Sequence, residues 1–476
     1  MSFTDYPYYA ALLLLLLVTL FLRREKQWLV LLFFSIIFYG YDRWHYLILL
    51  LTSVSIDYLC ALVIDRTKSA IKRRLFLGFS IFANLSILFF FKYFVEIYAE
   101  WSWIEARNAV LGIQFDKILL PLGISFYTLQ SMGYTIDVYR KEVPAERHFG
   151  YFALYVCFFP QLVAGPIERP KSLIPQLKNP TSVNLGTLQE GLFLIGFGLF
   201  KKLIVADRLF LIIQTQIDQA GALDGWQALS FGTVAFFAVY FDISAYTDIA
   251  RGSARLFGVN LSRNFNRPML ALSTGDFWRR WHMSLSGWMM HYLYRPLAQL
   301  HRSKAYRNWI LLVTFTMIGL WHGPTLPFIL MGALQGIVIV AERVSVSHRF
   351  RWPNTRIFDF MRLVRTHAVI NVSGMLFMSP DLETFLSLFH NVGHFDDFWH
   401  GALFLNQVQG IYSVSILCAG LFVIALTDFV KASVWWSEET WVTNSNVVRA
   451  IGLYALFGCV ILFGERSSAD FLYFFF

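Results

Sequence analysis

Long apolar runs recur along this chain with its charges left between them, and that alternation permits few folds. The first run covers 8–22, holds the unbroken leucines Leu12 to Leu17, and stops at Arg23-Arg24-Glu-Lys26. In lipid every backbone N–H and C=O must be satisfied within the chain, and about 20 apolar residues make one helical crossing. Only 15% of the residues are charged and 57% are hydrophobic, against roughly a quarter charged in a soluble globular domain. The chain therefore reads as an all-α polytopic membrane protein. Candidate spans lie at 8–22, 28–41, 46–64, 75–92, 118–136, 150–165, 187–206, 227–247, 309–341, 366–379, 410–430 and 447–465. That makes roughly eleven or twelve crossings, with 309–341 either one broken span or two. No internal repeat is apparent, and 1–476 is read as a single membrane domain. The first run does not match a cleaved signal, because its basic residues follow the apolar stretch instead of preceding it.

The net charge of +9 is placed between spans, which argues against nucleic acid as its reason. Basic residues cluster in Arg23-Arg24 and from Arg66 to Arg74, while the loop bearing Glu96, Glu100, Glu105 and Asp116 is acidic. The positive-inside rule puts the basic loops and Arg140-Lys141 in the cytoplasm, and the acidic loop and the N-terminus outside. Cys60, Cys157, Cys418 and Cys459 are scattered through apolar segments with no Cys-x-x-Cys pair. They read as small buried hydrophobes, not as disulfides or metal ligands.

Against this background one histidine stands out. His322 lies in Thr316-Met-Ile-Gly-Leu-Trp-His-Gly-Pro-Thr325, at a Gly-Pro break in an apolar run. An ionisable side chain at membrane depth is costly unless it is paired or beside water. It is therefore either a functional group or a side chain satisfied by a neighbouring helix. A second exception is 251–308, with ten Arg and Lys residues against one acid, Asp276, and many aromatic residues. Such a segment reads as amphipathic helices at the cytoplasmic surface, and its charge attracts anionic ligands. At helical spacing Trp278, Trp281, His282 and Leu285 share one face, Arg280 points away, and Ser286 sits at the edge. That face is either a ligand surface or an interfacial anchor.

Other polar residues sit in apolar settings. Gln130 and Ser131 follow Pro121-Leu-Gly-Ile-Ser-Phe-Tyr127; Gln161 lies in Phe159-Pro-Gln-Leu-Val-Ala-Gly-Pro166, whose two prolines and glycine predict a broken helix; Asp242-Ile-Ser-Ala-Tyr-Thr-Asp248 closes an apolar run. Each is helix-packing glue taken singly, and together they suggest a polar chamber. Metal ligation is not expected, since His282 and His322 belong to no short ligand motif. No phosphate-binding glycine loop and no Gly-x-Ser-x-Gly elbow is present, which excludes ATPase and soluble-hydrolase readings.

These motifs carry a resemblance. Pro121 to Ser131, Phe159 to Pro166, Asp242 to Asp248, Asn264-Phe-Asn-Arg-Pro268, Phe277-Trp-Arg-Arg-Trp-His282 and Gly319-Leu-Trp-His-Gly323 occur in order. In them the chain resembles the membrane-bound O-acyltransferases (MBOAT), specifically the bacterial branch typified by the alginate O-acetylation membrane protein. The resemblance implies a many-helix bundle with re-entrant elements around a funnel. It implies an O-acyltransferase of the bacterial inner membrane, most simply an O-acetyltransferase. The donor would be a cytoplasmic acyl thioester, acetyl-coenzyme A or an acyl carrier protein, used as substrate with no tightly bound cofactor. The acceptor would be an extracytoplasmic polysaccharide, reached with a periplasmic or membrane-tethered acetyltransferase partner. By position His322 corresponds to the family's catalytic histidine, here a general base, and His282 to its second histidine, on a re-entrant cytoplasmic element within 251–308. Donor and substrate contacts would fall on Trp278, Arg280, Trp281, Ser286, Gln161, Asp242, Asn264 and Trp321.

The terminal Phe471-Leu-Tyr-Phe-Phe-Phe476 is similar to the aromatic tail of bacterial relatives. It is either a terminus parked in the bilayer or a device that carries the acyl group on Tyr473. The chain departs from the alginate-type pattern at Met290-His291, at Leu297-Ala-Gln-Leu300 and at Gly374-Met-Leu-Phe-Met-Ser-Pro380, which leaves the acceptor open. Two other readings remain at this stage: D-alanyl transfer to teichoic acid from a carrier protein, and a transporter or flippase. Transporters often show inverted repeats with paired broken helices, and none is found here.

Overall fold

In the computed structural model, which describes residues 2–41, 43–94, 120–347, 355–394, 414–425, 446–465 and 471–472, every described regular element is helical. These residues gather in two compact units. The first holds α1 (Tyr6–Phe21), α2 (Arg24–Gly40), α3 (Tyr46–Arg66), α4 (Ala70–Leu88), α5 (Ile124–Tyr139), α6 (Phe149–Cys157), α7 (Pro170–Lys178) and the start of α8 (Leu185–Phe200), with residues 249–262 and 471–472. The acidic loop with Glu96, Glu100, Glu105 and Asp116 lies outside the described residues, as does Tyr473. Among the described residues four helical stretches are long and apolar enough to cross a membrane: Tyr46–Arg66, Ala70–Phe94, Gly225–Arg255 and Leu326–Ser345.

The expected span at 150–165 is not a through helix. α6 has 9 residues, a length of about 14 Å at 1.5 Å per residue, and Pro160 follows it. Its broken end is sealed by side chains. Gln130 and Gln161 each donate from Nε2 to the Tyr155 carbonyl, at 2.6 and 2.8 Å. Ser35 Oγ accepts the Phe159 N–H at 3.0 Å. The stretch around Gln161 packs against the turn that starts α5, and Gly123 makes the approach possible. With φ of +71° it has a left-handed backbone, and a Cβ there would stand 2.5 Å from the Leu162 carbonyl oxygen. Elsewhere in this unit Asp57 on α3 is fully buried and accepts from Ser80 at 2.5 Å and from Asn84 at 2.9 Å, both on α4.

The second unit begins within α8. It continues through a π-helical turn (Lys201–Ala206), α9 (Asp207–Asp218) and α10 (Gly225–Arg255), whose last seven residues belong to the first unit. Then come α11 (Thr274–Arg280), α12 (Met283–Trp288), a π-helical turn (Met289–Tyr294) and α13 (Arg295–Ala298). α14 (Lys304–His322), α15 (Leu326–Ser347), α16 (Arg356–Met378), α17 (Leu382–Asn391), α18 (Val414–Ala425) and α19 (Asn446–Phe463) complete it.

The apolar run at 309–341 is two helices. α14 stops at His322 because Pro324 cannot continue a helix and pushes the residue before it to extended backbone; Gly323 has φ 176° and ψ 167°. α15 then returns along α14. The two backbones touch at glycines. A Cβ on Gly319 would meet the Phe328 carbonyl oxygen at 2.2 Å, and one on Gly332 would meet that of Phe315 at 2.4 Å. Small residues spaced like Gly332 and Gly336 are the usual means of close helix approach where no hydrophobic force separates helix from lipid.

The basic segment is also a hairpin, and its contacts define its course. The start of α11 is tied to Glu342, which accepts from the Thr274 and Gly275 N–H groups at 2.9 and 3.2 Å. Its far end returns to the same level, with Tyr294 Oη accepting from Arg343 at 3.2 Å. The middle reaches Trp321, near the other end of α15. Leu326 and Glu342 are separated by about 24 Å of helix. The segment, which its composition reads as surface helices and the family resemblance as a re-entrant element, thus folds back on itself beside α15, with His282 at its tip.

A Gly319→Ala substitution is expected to destabilise the α14–α15 hairpin by about 1–3 kcal/mol, the usual cost of overpacking. Gly287→Ala, where nothing stands within 4 Å of the new methyl, is expected to be silent. Thermal unfolding of the detergent-solubilised variants reads both, and equal midpoints would rule out the close packing.

Candidate active site

His322 is the last residue of α14 and is 6% exposed. Its ring lies edge-on to Phe377 of α16 at 5.0 Å, beside Phe328 of α15 at 6.0 Å, and 4.9 Å from the Trp321 ring. Trp321 also meets His282, at 6.4 Å and perpendicular. One indole therefore contacts both imidazoles, and each imidazole caps a hairpin. His322 gets there because Gly-Pro ends α14; His282 gets there by a different device.

That device is a left-handed residue. His282 has φ 40° and ψ 54°, a conformation that costs a non-glycine residue roughly 1–2 kcal/mol. The expectation that Trp278, Trp281 and His282 share one helical face is corrected here, because the helix does not continue through them. α11 ends at Arg280 and α12 starts at Met283. The three rings consequently face different neighbours. Trp278 Nε1 donates to Gln335 at 2.9 Å, whose own amide donates to Ser373 at 2.6 Å. Trp281 stacks against both Phe236 and Phe277, at 5.2 and 5.1 Å, with Phe265 edge-on at 5.1 Å. Only His282 turns to Trp321 among these three.

Arg280 pairs with Asp276 at 2.9 Å. Ser286 donates from Oγ to the Trp281 carbonyl at 3.0 Å, and its N–H donates to the His282 carbonyl at 2.9 Å. Asn264 is fully buried against the same turn, with its main-chain oxygen accepting the Met283 N–H at 2.8 Å. Asp242 is buried in an ion-pair group centred on Lys202, whose Nζ lies 2.8 Å from Asp242 and 2.9 Å from Asp207. Gln161 belongs to the first unit, at the broken end of α6.

Several supporting residues were not singled out in the sequence. Lys201 and Lys202 fall inside the expected span at 187–206, yet both are buried. Lys201 donates to Ser244 at 2.7 Å and to Asp248, so the two lysines take the two carboxylates of Asp242-Ile-Ser-Ala-Tyr-Thr-Asp248. The signal was available: two cations in one apolar run and two anions in another must pair or leave the membrane. Gln335, Glu342 and Phe377 gave no such signal, since each acts on a residue far away in sequence.

Burial encloses both imidazoles, His282 fully and His322 nearly so. Two imidazoles around one indole can exchange protons with a hydroxyl or a thiol brought to them.

Comparison with known proteins shows the family. The profile of the membrane-bound O-acyltransferase family matches residues 140–379. The chain is 35% identical to the peptidoglycan O-acetyltransferase of Helicobacter pylori, over 74% of this chain and 71% of that one. It is 32% identical to the probable alginate O-acetylase AlgI of Pseudomonas putida, over 92% of each. Similarity extends to the teichoic acid D-alanyltransferase of Streptococcus thermophilus, at 27% over 50% of this chain and 60% of that one.

Lys202→Met leaves Asp242 and Asp207 buried without their shared cation, and a loss of about 3–5 kcal/mol is expected in thermal unfolding, partly recovered by adding Asp242→Asn; an unchanged midpoint in Lys202→Met would contradict the pairing.

Proposed function

The chain belongs to the membrane-bound O-acyltransferase family and is an acyltransferase; from that premise we propose that it is an O-acetyltransferase of the bacterial inner membrane. It passes an acyl group from a cytoplasmic thioester to a polysaccharide outside. The observation that carries the reading is the convergence of His282 and His322 on Trp321, each delivered by its own hairpin. A structural histidine needs no second one delivered to the same indole by a separate hairpin.

In this reading His322 is the general base. A neutral imidazole takes the proton of the acceptor hydroxyl as its oxygen attacks the thioester carbonyl. The new C–O bond forms, the C–S bond breaks, and the thiolate leaves with the proton that His322 returns. Positioned proton transfer of this kind contributes about 10²–10⁴ in rate. His282 assists proton transfer or orients the thioester. The donor is acetyl-coenzyme A or an acyl carrier protein, and the exposed cations Arg263, Arg279, Arg295, Arg302 and Lys304 of the basic segment favour its anionic groups. A periplasmic or membrane-tethered acetyltransferase completes delivery. The acetyl group is preferred over D-alanine because identity and coverage are higher for the O-acetylating relatives.

Mass spectrometry of the host's glycans tests this reading in wild-type cells and in cells carrying His322→Ala. The expected outcome is an ester that disappears in the variant and releases acetate on mild alkali. Release of D-alanine would replace the donor class, and an ester content unchanged in His322→Ala would overturn the catalytic assignment.

A further inference from the structure

The left-handed turn at His282 must be held by something, because an uncommon backbone conformation persists only where its surroundings over-determine it. Asn264 supplies the hold. Its side-chain Oδ1 accepts the Ser284 N–H at 3.2 Å while its main-chain oxygen accepts the Met283 N–H at 2.8 Å. These are the first two amides of α12, which have no partner inside the helix. At its other end Asn264 Nδ2 donates to Thr247 Oγ1 at 3.3 Å, and the Thr247 hydroxyl donates to the Ile243 carbonyl at 2.9 Å. One side chain therefore ties the hairpin tip to α10, a helix of 31 residues.

We infer that Asn264 is a positioning residue, acting on the reaction through the placement of His282 and not by touching donor or acceptor. The inference rests on the reading of His282 as a functional group given above. It departs from the sequence expectation that placed Asn264 among the substrate contacts. Asn264 is fully buried, and both ends of its amide are taken by the protein. Without the Asn264 side chain the Ser284 amide loses its acceptor and the tie to α10 is gone; the main-chain bonds and the Ser286 hydroxyl that remain hold the turn less firmly, and relaxation of His282 toward an ordinary backbone conformation would swing its ring away from Trp321. Displacement of a reacting group by about 1 Å is worth on the order of 100-fold in rate.

A double-mutant cycle on the full chain in its own membrane tests this. The readout is acyl ester on the host's polysaccharide, released by mild alkali and normalised to membrane protein. Asn264→Ala is expected to lower it about 10- to 100-fold. Asn264→Asp, which keeps an oxygen for the Ser284 amide, is expected to stay within a few-fold of wild type. In a His282→Ala background Asn264→Ala is expected to add nothing, since residues acting as a unit are not additive. Losses that multiply would overturn the positioning role while leaving His282 functional. Full ester in His282→Ala alone would instead overturn the reading of His282, and with it any role acting through that residue. Should Asn264→Ala fail to accumulate, Asn264→Ser, too short to reach Ser284, takes its place in the cycle. Hydrogen exchange on the peptide carrying Ser284 must then be faster in the Ser variant than in the Asp variant, and equal exchange would contradict the clamp.

Discussion

A broken helix in an apolar setting leaves amides and carbonyls that water cannot satisfy, and this structure is organised around how those groups are met. Each interruption has a particular side chain assigned to it. Gln130 and Gln161 close the carbonyl end of α6. Glu342 accepts the first amides of α11, and its charge is balanced by Arg365 at 2.9 Å. Asn264 does the same for α12. The polar residues that punctuate the oily sequence are in large part the groups that make its helix breaks tolerable.

This has a consequence for function. Breaks are what allow two chain segments to turn back inside the protein, and the turning points carry His282 and His322. An uninterrupted helix would present a histidine on its flank, with its backbone neighbours above and below. A hairpin tip presents the side chain end-on, where a second tip can approach it. Trp321 lies where the two approaches meet, and Phe328 and Phe377 also pack against His322. Buried charge is handled separately, by the lysine–aspartate pairs between the π-helical turn after α8 and the middle of α10.

Much of this was legible in the sequence, for stated reasons. Gly323-Pro324 marked the end of a helix because proline forbids continuation, and the apolar run around it was too long for one span. The broken stretch at 159–166 was visible from its prolines and glycine. The motifs that carry the family resemblance were read from local order alone. The course of 251–308 was not legible. Its composition fits a surface helix as well as a re-entrant one, and a period-based face for Trp278, Trp281 and His282 assumes a continuity that the left-handed His282 denies.

What the sequence by itself determined is the class of fold, the location of most helices, the family and the two histidines worth attention. These follow from run length, helix breakers and residue type, all of which are local properties. Only the tertiary structure decided which of them meet and what each polar residue does there. Asn264 reaches Ser284 across 20 positions, Lys202 reaches Asp242 across 40, and Glu342 reaches Thr274 across 68. A side chain that serves a distant backbone amide carries no mark of it in its own neighbourhood, because the demand arises where another segment happens to break.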